Sequence, residues 1–143
     1  KQSAAALAAW RSALAARWEC EVRAQRLYTR VRQQVLALPD AEKAYVPLFE
    51  TEAGSDALTA QDLLHSLRRL TAVLSLIQPQ PPFAKQALTD LNAIASELQA
   101  AIIHTDRCEE ERRRIQAEQR LLLELCYRAY QRTRNRITEH LSG

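Results

Sequence analysis

Glycine is nearly missing from this chain: Gly54 and Gly143 are the only two in 143 residues. No glycine-rich loop can therefore wrap backbone N–H groups around a phosphate. No β-branched run alternates with polar residues, which excludes a sheet built from half-buried strands. No apolar run approaches the roughly 18 residues that span a bilayer, and no signal peptide is visible, so membrane insertion by this segment is not expected. Three cysteines are too few for a disulfide framework. They read as thiols of a reducing, cytoplasmic compartment, with one disulfide plus a free thiol as the alternative. Methionine is absent and the chain opens on Lys1. It reads as a single helical domain, 1–143, taken from a longer protein.

Leu, Ala, Arg, Gln and Glu dominate instead, and all of them lose little freedom in a helix. The fold class that follows is all-α: an antiparallel, coiled-coil-like bundle of three to four helices, at about 3–37, 58–77 and 83–141. The net charge of +3 hides a division along the chain. Residues 1–37 carry +5, residues 38–106 carry −5 and residues 107–143 carry +3. Two basic ends thus flank an acidic middle. Seventeen of the twenty basic residues are arginine, which favours planar pairing with carboxylate or phosphate.

In the first helix Leu7, Trp10, Leu14, Trp18 and Val22 recur at three- and four-residue steps. Ser3 is the expected cap, and Leu38-Pro39 the expected stop. Residues 38–57 read as the one long irregular segment, with room for a short helix at 41–46. In the second helix Leu63, Leu67, Leu70, Leu74 and Ile77 form a stripe broadened by Leu64 and Val73. Thr59 and Asp62 have capping-box spacing, and Pro79, Pro81 and Pro82 end the helix. Residues 84–141 then run without glycine or proline, with Ile94, Ala101, Cys108, Ile115, Leu122 and Ala129 seven apart. One helix of that length measures roughly 87 Å. A capping-box pair at Asp106 and Glu109 marks 104–108 as the place for a break or kink, whereas the unbroken phase of the apolar row favours continuity.

Equal lengths suggest that the first helix lies antiparallel to residues 107–141, with paired residue numbers summing to 144–146. That register brings Cys20 to Cys126 and the leucines of 121–125 to Trp18 and Val22. The expected helix–helix core is Trp10, Leu14, Trp18, Ile115, Leu122 and Cys126.

Chemistry is sparse. His104, Asp106 and Cys108 stand two apart, which spreads them around a helix, so neither a metal nor another cofactor is expected. No serine or cysteine has a local activating group, and an enzyme is not expected. The hexapeptide Leu64-His65-Ser66-Leu67-Arg68-Arg69 resembles the histidine phosphotransfer helix, in which an exposed histidine is followed by a leucine, a lysine and a small residue. Arg69 occupies the place of the small residue that lets a partner approach. Read from its own neighbours, His65 sits at the edge of an apolar stripe. Arg23, Arg26 and Arg30 on the first helix, and Arg128, Arg132 and Arg136 on the last, form basic stripes suited to acidic partners or phosphates. Glu109, Glu110 and Glu111 precede Arg112, Arg113 and Arg114 and largely neutralise them.

The function expected from these features is a non-enzymatic helical interaction, scaffolding or assembly module with a protein partner, most simply a second copy. Two other classes fit the pattern. Two long helices around two shorter ones resemble a chemoreceptor-type four-helix sensor. That resemblance implies an extracytoplasmic place, flanking membrane segments and an anionic ligand on the arginines. The basic stripes with Tyr127 and Tyr130 interleaved fit a nucleic-acid accessory protein.

Overall fold

The computed structural model describes residues 1–39 and 59–142. Most of the expected irregular segment, including the helix at 41–46, lies outside the described residues. Three helices make up the described chain, and they are α1 (Gln2–Leu36), α2 (Ala60–Leu76) and α3 (Ala84–Ser142). They pack as an all-α bundle, with no strand among the described residues. α3 passes through residues 104–108 unbroken. By contact the chain divides into two units, one of Ser12–Thr105 and one of Lys1–Arg11 with Asp106–Gly143.

The helix ends follow from local chemistry. α1 begins one residue ahead of Ser3, with the Lys1 carbonyl accepting from the Ala5 N–H at 3.2 Å, so Ser3 lies inside the helix instead of capping it. It ends as the Leu38 N–H reaches the Val35 carbonyl, just before Pro39. α2 opens on a reciprocal capping box. The Asp62 N–H donates to Thr59 Oγ1 at 3.1 Å, and the Thr59 N–H donates to Asp62 Oδ2 at 3.2 Å. Its last turn closes as Ile77 leaves helical geometry, and buried Pro81 accepts from the Ala84 N–H at the start of α3.

The larger unit is a three-helix bundle with one apolar core. Leu67, Leu70 and Leu74 of α2 meet Leu91 and Leu98 of α3, and all five are fully buried. Val31 and Val35 of α1 close the third side. Two contacts fix the direction of α1 against α3. Thr105 lies beside Ala13, and Arg23 pairs with Glu97. Numbers rise on one helix as they fall on the other, so the pair is antiparallel. The short connection from Leu76 to Ala84 folds α3 back along α2, and Arg68 of α2 donates to Gln99 of α3 at 2.8 Å across that hairpin.

This register corrects the expected one. Paired numbers in this unit sum to 118 and 120, not 144–146, so α1 lies along the first half of α3. The cause is visible in the face that α1 buries. It is a row of small residues, Ala6, Ala13, Cys20 and Ala24, followed by Tyr28, Val31 and Val35. The stripe of larger side chains at Leu7, Trp10, Leu14, Trp18 and Val22 is turned aside and only partly covered, with Trp18 65% exposed. Small side chains let two helix backbones approach closely and bury more of both. Close approach outweighed bulk.

In the smaller unit Ala6 and Ile115 are buried, and the Arg112 guanidinium lies 4.5 Å from the centre of the half-buried Trp10 ring. That stack supplies a cation–π contact and shields the ring from water.

Candidate interaction surface

From Gln116 to Leu141 every residue of α3 is exposed. The helix is held as a helix by pairs along its own surface. Arg114 joins Glu111 and Glu118, each at 2.5 Å, and Arg128 joins Glu124 at 3.0 Å. Such exposed, solvent-screened pairs each contribute little. Beside Glu111 and Glu118 the Arg114 guanidinium is held even more firmly in its charged form, and Glu111 is pulled below the usual carboxylate range by the hydrogen bond from Arg114.

Yet this stretch is far from polar. Leu122, Leu123, Tyr130, Ile137 and Leu141 are each between 55% and 81% exposed. At 3.6 residues per turn they fall within an arc of about 100°. Cys126 and Thr133 lie inside the same arc, and Ile115, two turns before Leu122, is buried in continuation of it. An apolar face this wide is the face of a bundle helix, broader than a two-stranded seam. Together the five large side chains expose on the order of 700 Å², more than the few hundred that a monomer usually leaves in one patch. Arg128, Arg132 and Arg136 project about 170°, 130° and 90° from the centre of that arc, on a side that also carries the exposed Leu121 and Leu125.

The residues singled out as core therefore divide. Ile115 is buried, and Trp10 and Leu14 are half-buried. Trp18, Leu122 and Cys126 are exposed, because the small-residue row of α1 sets a register that leaves them without a facing helix among the described residues. Cys20 sits in the core of the larger unit, where burial pushes its thiol pKa up, and it is not joined to Cys126; none of the three cysteines is in a disulfide.

The basic stripes fare differently from each other. Arg23, Arg26 and Arg30 do share one open groove of about 520 Å³, but Asp90 and Glu97 of α3 line its other side. Arg23 grips Glu97 through both guanidinium nitrogens, and this hydrogen bond lowers the Glu97 pKa and raises that of Arg23. The groove is a charge-paired seam rather than a bare cationic surface. Glu97 was missed in the sequence because its partner depends on register; a sum near 120 would have found it. His65 is exposed on α2 with the half-buried Arg69 one turn on. No group of three metal-ligating side chains occurs among the described residues, and no helix among them is long and apolar enough to cross a membrane.

No family model matches this chain, and neither a curated protein nor a solved structure matches it.

Proposed function

We propose that this chain is a non-enzymatic helical interaction module, with residues 116–141 of α3 as its binding segment. One observation carries the reading: a wide apolar face, continuous with a buried one, stands entirely in water. Covering its large side chains is worth on the order of 15 kcal/mol at about 25 cal/mol per Å². Association costs of roughly 4–15 kcal/mol oppose that gain, so a reversible complex is the expected outcome. Arg128, Arg132 and Arg136, outside that face, steer acidic partners.

The test replaces Leu123 and Tyr130 with glutamate, positions 71% and 63% exposed where the fold does not depend on the side chain. Sedimentation of the purified chain and proximity cross-linking in cells then report association with itself and with other chains. Loss of either kind of association in the variant supports the module. A variant with the same sedimentation and the same cross-linked neighbours as its parent refutes it.

A second reading, nucleic-acid binding, is favoured by the exposure of Arg128, Arg132 and Arg136 along one side of α3. It requires an affinity for DNA or RNA that falls steeply with salt. Salt-insensitive binding, or none at low salt, removes it.

A further inference from the structure

We propose that the groove between α1 and α3 in the larger unit binds the carboxylate of a small organic acid at Arg26. This inference stands apart from the interaction reading above. Register carries it. Arg23 and Arg30 are seven apart on α1, and Asp90 and Glu97 are seven apart on α3. Seven residues make nearly two turns, so each pair lies on one stripe of its helix. The pairing of Arg23 with Glu97 therefore sets Arg30 level with Asp90, since both pairs of numbers sum to 120.

Between these two rungs the helices present Leu27 and Ile94 toward the core, the first half-buried and the second buried. On the outer side of the same rung stand Arg26 and Ala93, both exposed and both lining the groove. The middle rung thus sets a guanidinium against a methyl group. It is the one rung of the three without a carboxylate.

Charge points to the same place. Three guanidiniums line the groove against two carboxylates. Arg23 holds Glu97, and Asp90 accepts from Gln86 on its own helix at 2.8 Å. Neither Arg26 nor Arg30 has an ion pair among the described residues. They are four apart on α1, about 5–6 Å between Cβ atoms, so both can donate to one oxyanion. Ala93 ends at its Cβ, and the space beyond it belongs to an open groove of about 520 Å³. That volume lies within the roughly 300–1,000 Å³ of small-molecule sites.

The surroundings select the ligand. Asp90 and Glu97 on either side repel surplus negative charge, which favours a single carboxylate over a doubly charged phosphate. A planar guanidinium meets a carboxylate through two parallel N–H···O bonds. Leu27 and Ile94 beneath offer a floor for an apolar body. The bound acid completes the row of ion pairs along the seam.

The experiment follows backbone amide shifts of the full chain during titration with cyclohexanecarboxylate, with cyclohexylmethanol and inorganic phosphate as separate arms. Saturable shifts at residues 23–30 and 90–97 are expected with the carboxylate at millimolar concentration, which is within reach of a ligand of this size. The alcohol should give none, and phosphate should bind more weakly. Arg26→Gln removes the charge and should weaken binding about tenfold or more. Ala93→Glu supplies the absent carboxylate from the chain itself, at an exposed helical position that accepts either residue, and should weaken binding to a similar degree. Unchanged far-ultraviolet dichroism confirms that each variant keeps its fold. Absence of saturable shifts at the groove overturns the site, as does undiminished binding in either variant. Equal binding of the alcohol overturns the role of Arg26, and tighter binding of phosphate overturns the carboxylate as ligand.

Discussion

Thr105 is the most deeply buried polar side chain among the described residues, 1% exposed at the α1–α3 contact. Its hydroxyl lies 2.8 Å from the Ala101 carbonyl and 3.3 Å from the Ala13 carbonyl across the seam. A hydroxyl has one proton, so the shorter contact takes it and the cross-helix one is at best shared. Both carbonyls belong to helix interiors and retain their own backbone N–H donors. Removing the hydroxyl therefore orphans no buried group. The loss is limited to one net hydrogen bond, about 1 kcal/mol. In Thr105→Val a methyl replaces the hydroxyl and recovers about 0.8 kcal/mol of apolar burial. Valine is thus expected to cost between about 0 and 1 kcal/mol. Thr105→Ala loses the hydrogen bond and the existing methyl together and leaves a small void, for about 2 kcal/mol. In a chain of this size that lowers Tm by roughly 5–10 °C. Urea unfolding followed by dichroism, at a concentration too low for self-association, gives both values. A valine variant as costly as the alanine one would show instead that the cross-helix hydroxyl contact is essential.

Thr59→Ala should destabilise α2 by about 1 kcal/mol, seen as faster amide exchange in its first turn, because one side of the capping box is lost. The Glu97 pKa is lowered by Arg23, so the pair contributes stability at neutral pH that disappears as pH falls through the folded-state value. Both partners are about half exposed, so the effect is small and salt-sensitive; Glu97→Gln should flatten the acid limb of the stability profile, and an unchanged limb would remove the pair from the account. Iodoacetamide at neutral pH should label Cys126 first and Cys20 only on unfolding, since burial both hides the Cys20 thiol and raises its pKa; equal rates would contradict the buried placement.

Most of the architecture was legible from local signals. Proline positions, the absence of glycine and the leucine stripe of 63–77 mark the helices to within a residue or two. The capping box at Thr59 and Asp62 is local chemistry, and it is present. The uninterrupted phase of the row from Ile94 to Ala129 pointed to a continuous last helix, which α3 is. Register was not legible. Matching helices by length assumes that every turn finds a partner, and ranking faces by side-chain bulk assumes that large residues choose the seam. Here Ala13 and Ala24 take the seam while Trp18 stands outside it. From that single displacement the rest follows: Arg23 meets Glu97, Cys20 parts from Cys126, and the leucines of 121–125 are left in water. The surface proposed for binding is the remainder of a packing choice that sequence pattern does not encode.

The two tryptophans also furnish a built-in optical instrument. Trp10 belongs to the smaller unit and carries the Arg112 guanidinium over its ring, whereas Trp18 belongs to the larger unit and faces solvent. Emission from Trp18 should already resemble that of indole in water and change little on denaturation. A blue-shifted, denaturant-sensitive component then belongs to Trp10. In a Trp18→Phe chain, fluorescence would report the smaller unit alone, and dichroism, dominated by the helices as a whole, would report both. Two spectra of one sample could show whether the units melt together or one after the other, with no dye or tag attached.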